Sequence, residues 1–142
     1  MNFLSRLFSK KSEDLSSSKI DDNIVVAEVQ HFEKHPNADR LRVVKLSIGD
    51  REVEPVVCGA ANFNIGDKVV LALPGANIPR SHRDPEQKGF VLEKATIRGV
   101  ESQGMICSAF ELNLGPESDK PEILILKPDA PVGGKFSADL IE

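Results

Sequence analysis

Tryptophan and tyrosine are absent from this 142-residue chain, and its seven phenylalanines are its only aromatic residues. A binding surface built on a wide aromatic stacking platform is thereby excluded. Cysteine is scarce: Cys58 and Cys107 stand in the apolar runs VVCGA and GMICSA, with neither a CxxC pair nor a histidine at zinc-ligand spacing. Both read as small buried strand residues suited to a reducing cytoplasm, and no metal is expected. No apolar stretch approaches the roughly 20 residues that span a bilayer, so no membrane partner is expected. Positive charge is not in excess either, since 18 Lys and Arg face 22 Asp and Glu for a net charge of −4. That balance opposes non-specific polyanion binding. Any anion site must be a local patch on an acidic body, weakening steeply as salt rises.

Catalytic inventory is thin as well. His31 falls in a strand-like run, His35 precedes a proline, and His82 lies in a polar loop rich in arginine. There is no GxSxG elbow, no HExxH and no Gly-rich phosphate loop with its lysine. The carboxylates are scattered, so no acid–base pair stands out. No catalytic residue and no cofactor is expected.

What is present is β-like. Residues 1–22 begin MNFLSRLFSKK, with apolar positions at helical spacing, and continue into SEDLSSSK. A disordered or weakly helical tail is expected there, with a folded domain over residues 23–142. Within that domain β-branched runs alternate with Gly, Pro, Asn and Asp. Strands are expected at Ile24–Phe32, Leu41–Ile48, Val53–Cys58, Lys68–Leu73, Phe90–Arg98 and Ile123–Leu126. Turns are expected at HPNAD and Gly49-Asp50, with Pro55 marking a sheet edge or bulge. The apolar phase of the second run flips between Val43 and Val44, which calls for a bulge or sharp bend. Ser108 and Glu111 form a capping-box pattern that starts one helical turn through Leu112. RSHRDPEQKG has no apolar residue and reads as a surface loop. Short strands, little helix and a bend favour an all-β oligonucleotide-binding (OB) fold, a five-stranded Greek-key barrel with a short helix and extra short strands.

On those strands Arg40 and Arg42 share one face, and Lys94, Thr96 and Arg98 another. Such rows suit a nucleic-acid groove, and they equally suit an ordinary solvated strand face. Arg80, Arg83 and Lys88 add a basic loop that Asp84 and Glu86 partly cancel.

Four segments carry a family resemblance: HPNADRLRV (His35 to Val43), VVCGAAN (Val56 to Asn62), ALPGANIP (Ala72 to Pro79) and IRGVESQGMICSAFEL (Ile97 to Leu112). In this order and spacing the chain resembles the tRNA-binding domain of the phenylalanyl-tRNA synthetase β-subunit type, over about residues 24–141. The resemblance implies an RNA-facing surface formed by the HPNAD turn and the GVESQGM loop. Its candidate tRNA-binding residues are Asn37, Arg40, Arg42, Asn62, Lys94, Arg98, Ser102 and Met105. Arginine and lysine would meet phosphates, Asn62 and Ser102 sugar or base edges, and Met105 an unstacked base. Pro36, Asp39 and Glu111 are expected to shape the backbone, and Gly59, Gly99 and Gly104 to permit close approach. The regions that complete a synthetase β subunit are not in this sequence, so no ligase chemistry is expected of it.

Two functional expectations follow. One is a cytoplasmic module that holds tRNA chiefly by its backbone. The other is a truncated or split synthetase β-subunit piece acting as an interaction module, favoured by the net charge, with a synthetase α subunit as partner. Self-association is compatible with either.

Overall fold

The computed structural model describes residues 21–142. The expected N-terminal tail or helical turn lies almost wholly outside them. Nine strands appear: β1 (Ile24–His35), β2 (Ala38–Ser47), β3 (Glu52–Cys58), β4 (Lys68–Ala72), β5 (Asn77–Ile78), β6 (Phe90–Val91), β7 (Ala95–Ile97), β8 (Val100–Ser102) and β9 (Met105–Ile106). A 3-10 turn follows at Ala138–Leu140.

The main sheet has the order β3-β2-β1-β4-β9, and β5-β6 and β7-β8 form separate two-stranded ribbons. β1 runs antiparallel to both β2 and β4, β2 to β3, and β4 to β9. Among the described residues no sheet closes, which corrects the expected Greek-key barrel. The physical reason is that β3, at the sheet edge, meets no further strand ladder. Across that edge the Val57 N–H donates to Ser102 Oγ at 2.9 Å, and the Gln103 N–H to Pro55 O at 2.9 Å. The single long strand expected over Phe90–Arg98 is also broken into β6 and β7, each bound within its own ribbon. Leu92 still follows the β5 side, donating to Ala76 O and accepting from Gly75 N–H, so the break falls between Leu92 and Ala95. Ile123–Leu126 is likewise not a strand and makes only the isolated bridges Val69↔Ile125 and Leu126↔Ile141.

The central strands are apolar on both faces for a visible reason. Val25, Ala27 and Val29 of β1, with Val69 and Leu71 of β4, face one core with Val44, Leu46, Val56 and Phe63. Ile24 and Val26, with Val70 and Ala72, face a second core with Ile78, Cys107, Leu126 and Phe136. Two-sided burial turns an alternating pattern into the continuous runs IVVA and KVVLA, each fully buried aliphatic side chain contributing about 1.5–3 kcal/mol.

The expected irregularity near Val43 exists, but not within β2. Lys45 is where β2's partners slip: β1 carries an extra residue between Val29 and His31, and β3 an extra residue between Val53 and Val56. Pro55 thus sits, as expected, in both an edge strand and a bulge. β2 itself alternates without a break, so Arg42 continues the inward face of Val44 and Leu46. Residues 133–136 flank the start of β1, with Gly133 N–H donating to Val26 O and Phe136 N–H to Ile24 O.

Gly133 has φ +89°, and a side chain there would overlap the Ile48 carbonyl oxygen, whereas Gly66, at φ +96°, faces open space. Gly66→Ala is therefore expected to cost about 1 kcal/mol of unfolding free energy from backbone strain alone. Gly133→Ala, which adds the steric clash, is expected to cost more, up to ~3 kcal/mol. Urea unfolding checks both, and equal losses would contradict the account.

Candidate nucleic-acid interface

Pro36 and Asn37 form a two-residue hairpin loop between β1 and β2, and Arg98 and Gly99 one between β7 and β8. A buried histidine fastens the two loops together. The His35 ring is only 1% exposed. Its Nδ1 accepts the Asn37 N–H at 2.9 Å, so the proton sits on Nε2, which donates to Ile97 O at 2.9 Å. Above it the Asn37 amide donates to Arg98 O at 2.9 Å, and Arg98 Nη2 to Asn37 O at 3.4 Å. Arg98 has φ +54°, a left-handed conformation that these bonds hold in place.

The candidate residues divide by what they already bind. Asn37, Arg40, Lys94 and Arg98 are exposed. Arg40 is on β2, Arg98 in the β7–β8 turn, and Lys94 in the link before β7, so the expected face shared by Lys94, Thr96 and Arg98 does not form. Nearby, Asp39 pairs with Lys34 at 2.9 Å rather than with Arg40. Arg42 turns inward: its guanidinium lies 4.3 Å from the Phe32 ring centre and 5.0 Å from that of Phe63, and Nη1 donates to Phe63 O at 3.3 Å. Ser102 is 3% exposed. Its hydroxyl accepts from Val57 N–H and donates to Gly104 O at 2.9 Å. Asn62 pairs with both polar groups of Ile123, Nδ2 to O at 2.9 Å and Oδ1 from N–H at 3.0 Å. Met105 is half-buried and packs against the second core. These last four serve the fold in whole or part, and Asn37 and Arg98, though exposed, are partly engaged with each other.

The basic loop is similarly reduced. Arg80 lies 4.2 Å from the Phe110 ring centre and donates to Phe110 O at 3.0 Å and Gly115 O at 2.7 Å. Lys88 pairs with Glu86 at 3.2 Å. Ser108 and Glu111 make the reciprocal capping bonds, Ser108 N–H to Glu111 Oε1 at 2.9 Å and Glu111 N–H to Ser108 Oγ at 3.2 Å. They close a hydrogen-bonded turn in which Leu112 N–H reaches Ser108 O at 3.3 Å.

Beside the joined loops opens a cleft of about 830 Å³, lined among others by Leu41, Val57, Phe90, Ile97, Met105 and Phe110. Sequence reading did not single out Phe90 or Leu41. Both look like ordinary strand residues until the ribbons fold over the β3 edge. His82 stacks on Phe110 with ring centres 4.4 Å apart and reaches Glu117 at 3.0 Å, forming part of one wall. Cys58 and Cys107 are buried and unbonded to each other, as expected, although Cys107 follows β9 instead of lying in a strand. Burial pushes the Cys58 thiol from its ordinary 9.0 up to about 11, and that of Cys107 well above 9.0.

The fold is shared with a methionyl-tRNA-synthetase-related protein of Pyrococcus horikoshii, with a TM-score of 0.57 and 20% identity over 84% of this chain and 92% of that one. The C-terminal domain of Plasmodium vivax p43 is also similar, with a TM-score of 0.52 and 21% identity over 84% of this chain and 61% of that one. Those likenesses concern the fold alone, that of a mostly β domain. The chain belongs to the putative tRNA binding domain family, whose model matches residues 24–135. It is 42% identical over 115 residues to the phenylalanine–tRNA ligase β subunit of Fusobacterium nucleatum, covering 81% of this chain and 13% of that protein. Against the β subunit of Bdellovibrio bacteriovorus it is 40% identical over 126 residues, 88% of this chain and 14% of that protein. The chain thus spans about one-seventh of the length of these relatives.

Three outcomes are expected. Ser102→Ala leaves the buried Val57 N–H without its partner and should cost roughly 1–3 kcal/mol in urea unfolding. A neutral result would mean that another group satisfies it. Because its folded thiol pKa is raised, Cys58 contributes stability that is present below pH 9 and is lost as pH rises from 9.0 to about 11. At pH 8 both thiols should alkylate only on unfolding, and rapid labelling by iodoacetamide of the native protein would contradict their burial.

Proposed function

We propose that this chain is a non-catalytic tRNA-binding module, with residues 23–142 as the binding domain. The observation that supports it most is convergence. The His35 and Asn37 bonds bring the HPNAD turn against Ile97 and Arg98, and Ser102 ties the same hairpin to Val57. Segments separated by as many as 62 residues therefore present one surface, in a chain whose family is described as a putative tRNA binding domain. Arg98 and Arg40 are the phosphate contacts of this reading, with Lys94 at its margin. Asn37 holds Arg98 in place. Arg42, Asn62 and Ser102 keep the surface in shape rather than touch RNA, and Met105 backs the adjoining cleft.

The net charge of −4 sets the strength of binding. A few cations on an acidic body give micromolar affinity at low salt that falls quickly as salt rises. The same surplus of acid supports a second reading, in which the domain docks on a synthetase α subunit or on another copy of itself. The free, buried thiols suit a cytoplasmic location. Among the described residues no helix is long and apolar enough to cross a membrane.

Fluorescence anisotropy with labelled tRNA tests the main reading. Arg98→Gln and Arg40→Ala are each expected to weaken binding roughly 3- to 10-fold and to lower the salt slope by about one. Arg42→Ala should instead lower thermal stability. Indistinguishable binding of tRNA and an unrelated acidic polymer would discard RNA recognition. Co-purification with an α subunit that is lost on deleting the first 22 residues would favour the docking reading.

A further inference from the structure

Among the described residues, aromatic side chains are nearly all committed to the interior. Phe63, Phe110 and Phe136 are 1–3% exposed, and Phe32 lies beneath the Arg42 guanidinium against Phe63. Phe90 is the exception at 36% exposed, and it lines the cleft. Its backbone is fixed by pairing with Ile78, which is itself 1% exposed, so the ring is held at the surface by an anchored ribbon rather than by a loose loop.

Charge around the cleft is divided. The lining contains Glu93, Glu111, Asp119 and Glu122 against only Arg83 and Lys120, so its interior repels phosphate. Yet the apolar lining residue Ile97 is the chain neighbour of Arg98, exposed in the turn at the cleft's margin, whereas Arg40, which precedes the lining residue Leu41 on β2, projects from the opposite strand face. A polyanion held at that margin has its charged backbone kept outside, and only an uncharged part of it is able to enter. A nucleobase fits this division. It is neutral, it has an apolar face for a phenyl ring, and its amino groups are donors that carboxylates accept.

We propose that the cleft receives an unpaired nucleobase stacked on Phe90, while the adjoining phosphate lies on Arg98. This assignment rests on the tRNA-binding reading and goes further, because it makes the site selective for single-stranded nucleotides over duplex. Base–aromatic stacking is sequence-tolerant, so one such ring adds affinity without specifying the base.

The absence of Trp and Tyr from the chain supplies the test. Phe90→Trp introduces a lone indole whose emission reports direct stacking. On titration with tRNA, or with a short single-stranded RNA, the emission is expected to be quenched. A fully paired RNA duplex or inorganic polyphosphate should leave it nearly unchanged. In parallel, Phe90→Ala should weaken tRNA binding about five-fold or more in anisotropy, with the salt slope unaltered because no phosphate contact is lost. If tRNA still binds but the indole is not quenched, or polyphosphate quenches it equally, the nucleobase site is refuted while tRNA binding stands. If tRNA produces no anisotropy change with the wild-type protein, the functional reading fails and this site with it. Quenching by a basic, apolar peptide but not by RNA would reassign the cleft to protein docking and overturn the proposal.

Discussion

Polar backbone groups that no strand ladder reaches still have to be paired, and in this domain side chains do that work around the open edge of β3. A buried N–H or C=O left without a partner costs about 1–3 kcal/mol, enough to matter in a small domain. Ser102 satisfies Val57, Asn62 satisfies both groups of Ile123, and His35 satisfies Ile97 and Asn37. Each acts as a substitute for a missing strand. Apart from the local His35–Asn37 bond, these bonds span 45 to 62 residues, and they fix where the β7–β8 ribbon and the segment around Ile123 lie against the main sheet.

The position of the charges follows from that scaffolding. Arg42 and Arg80 spend their cations on phenylalanine faces and backbone carbonyls, and Lys34, Lys45, Lys68, Lys88 and Lys135 pair with acids. Exposed pairs of this kind add little stability, but they do lower the local positive field. Arg40 and Arg98 stand out because they make no ion pair among the described residues and sit on elements joined by the His35 fastening. An acidic protein presents cations to a polyanion only if tertiary contacts keep a few of them clear of carboxylates.

Strand existence was readable wherever burial is strong. The expected β1, β3 and β4 match within a few residues, because Ile24–Ala27 and Val69–Ala72 are buried on both faces and leave an unmistakable apolar run. The capping pair Ser108 and Glu111 and the edge position of Pro55 were readable too, since both are local chemistry. Phe90–Arg98 misled because its β-branched composition suits one long strand, whereas its hydrogen bonds go to two different ribbons. Barrel closure failed for the same reason, as it needs that strand intact.

Residue type alone did not tell which candidate side chains the fold engages. Arg42, Asn62 and Ser102 are the kinds of residue that contact RNA, and the fold engages their donors and acceptors internally; His35, read only as a residue before proline, fastens two turns together. Composition, apolar runs and motif order were enough to specify a β domain and its family, because those depend on chain-local pattern. Whether a given polar side chain faces solvent or replaces a strand was decided by tertiary structure. That choice depends on which backbone groups the sheet leaves unpaired, and those groups belong to residues far away along the chain.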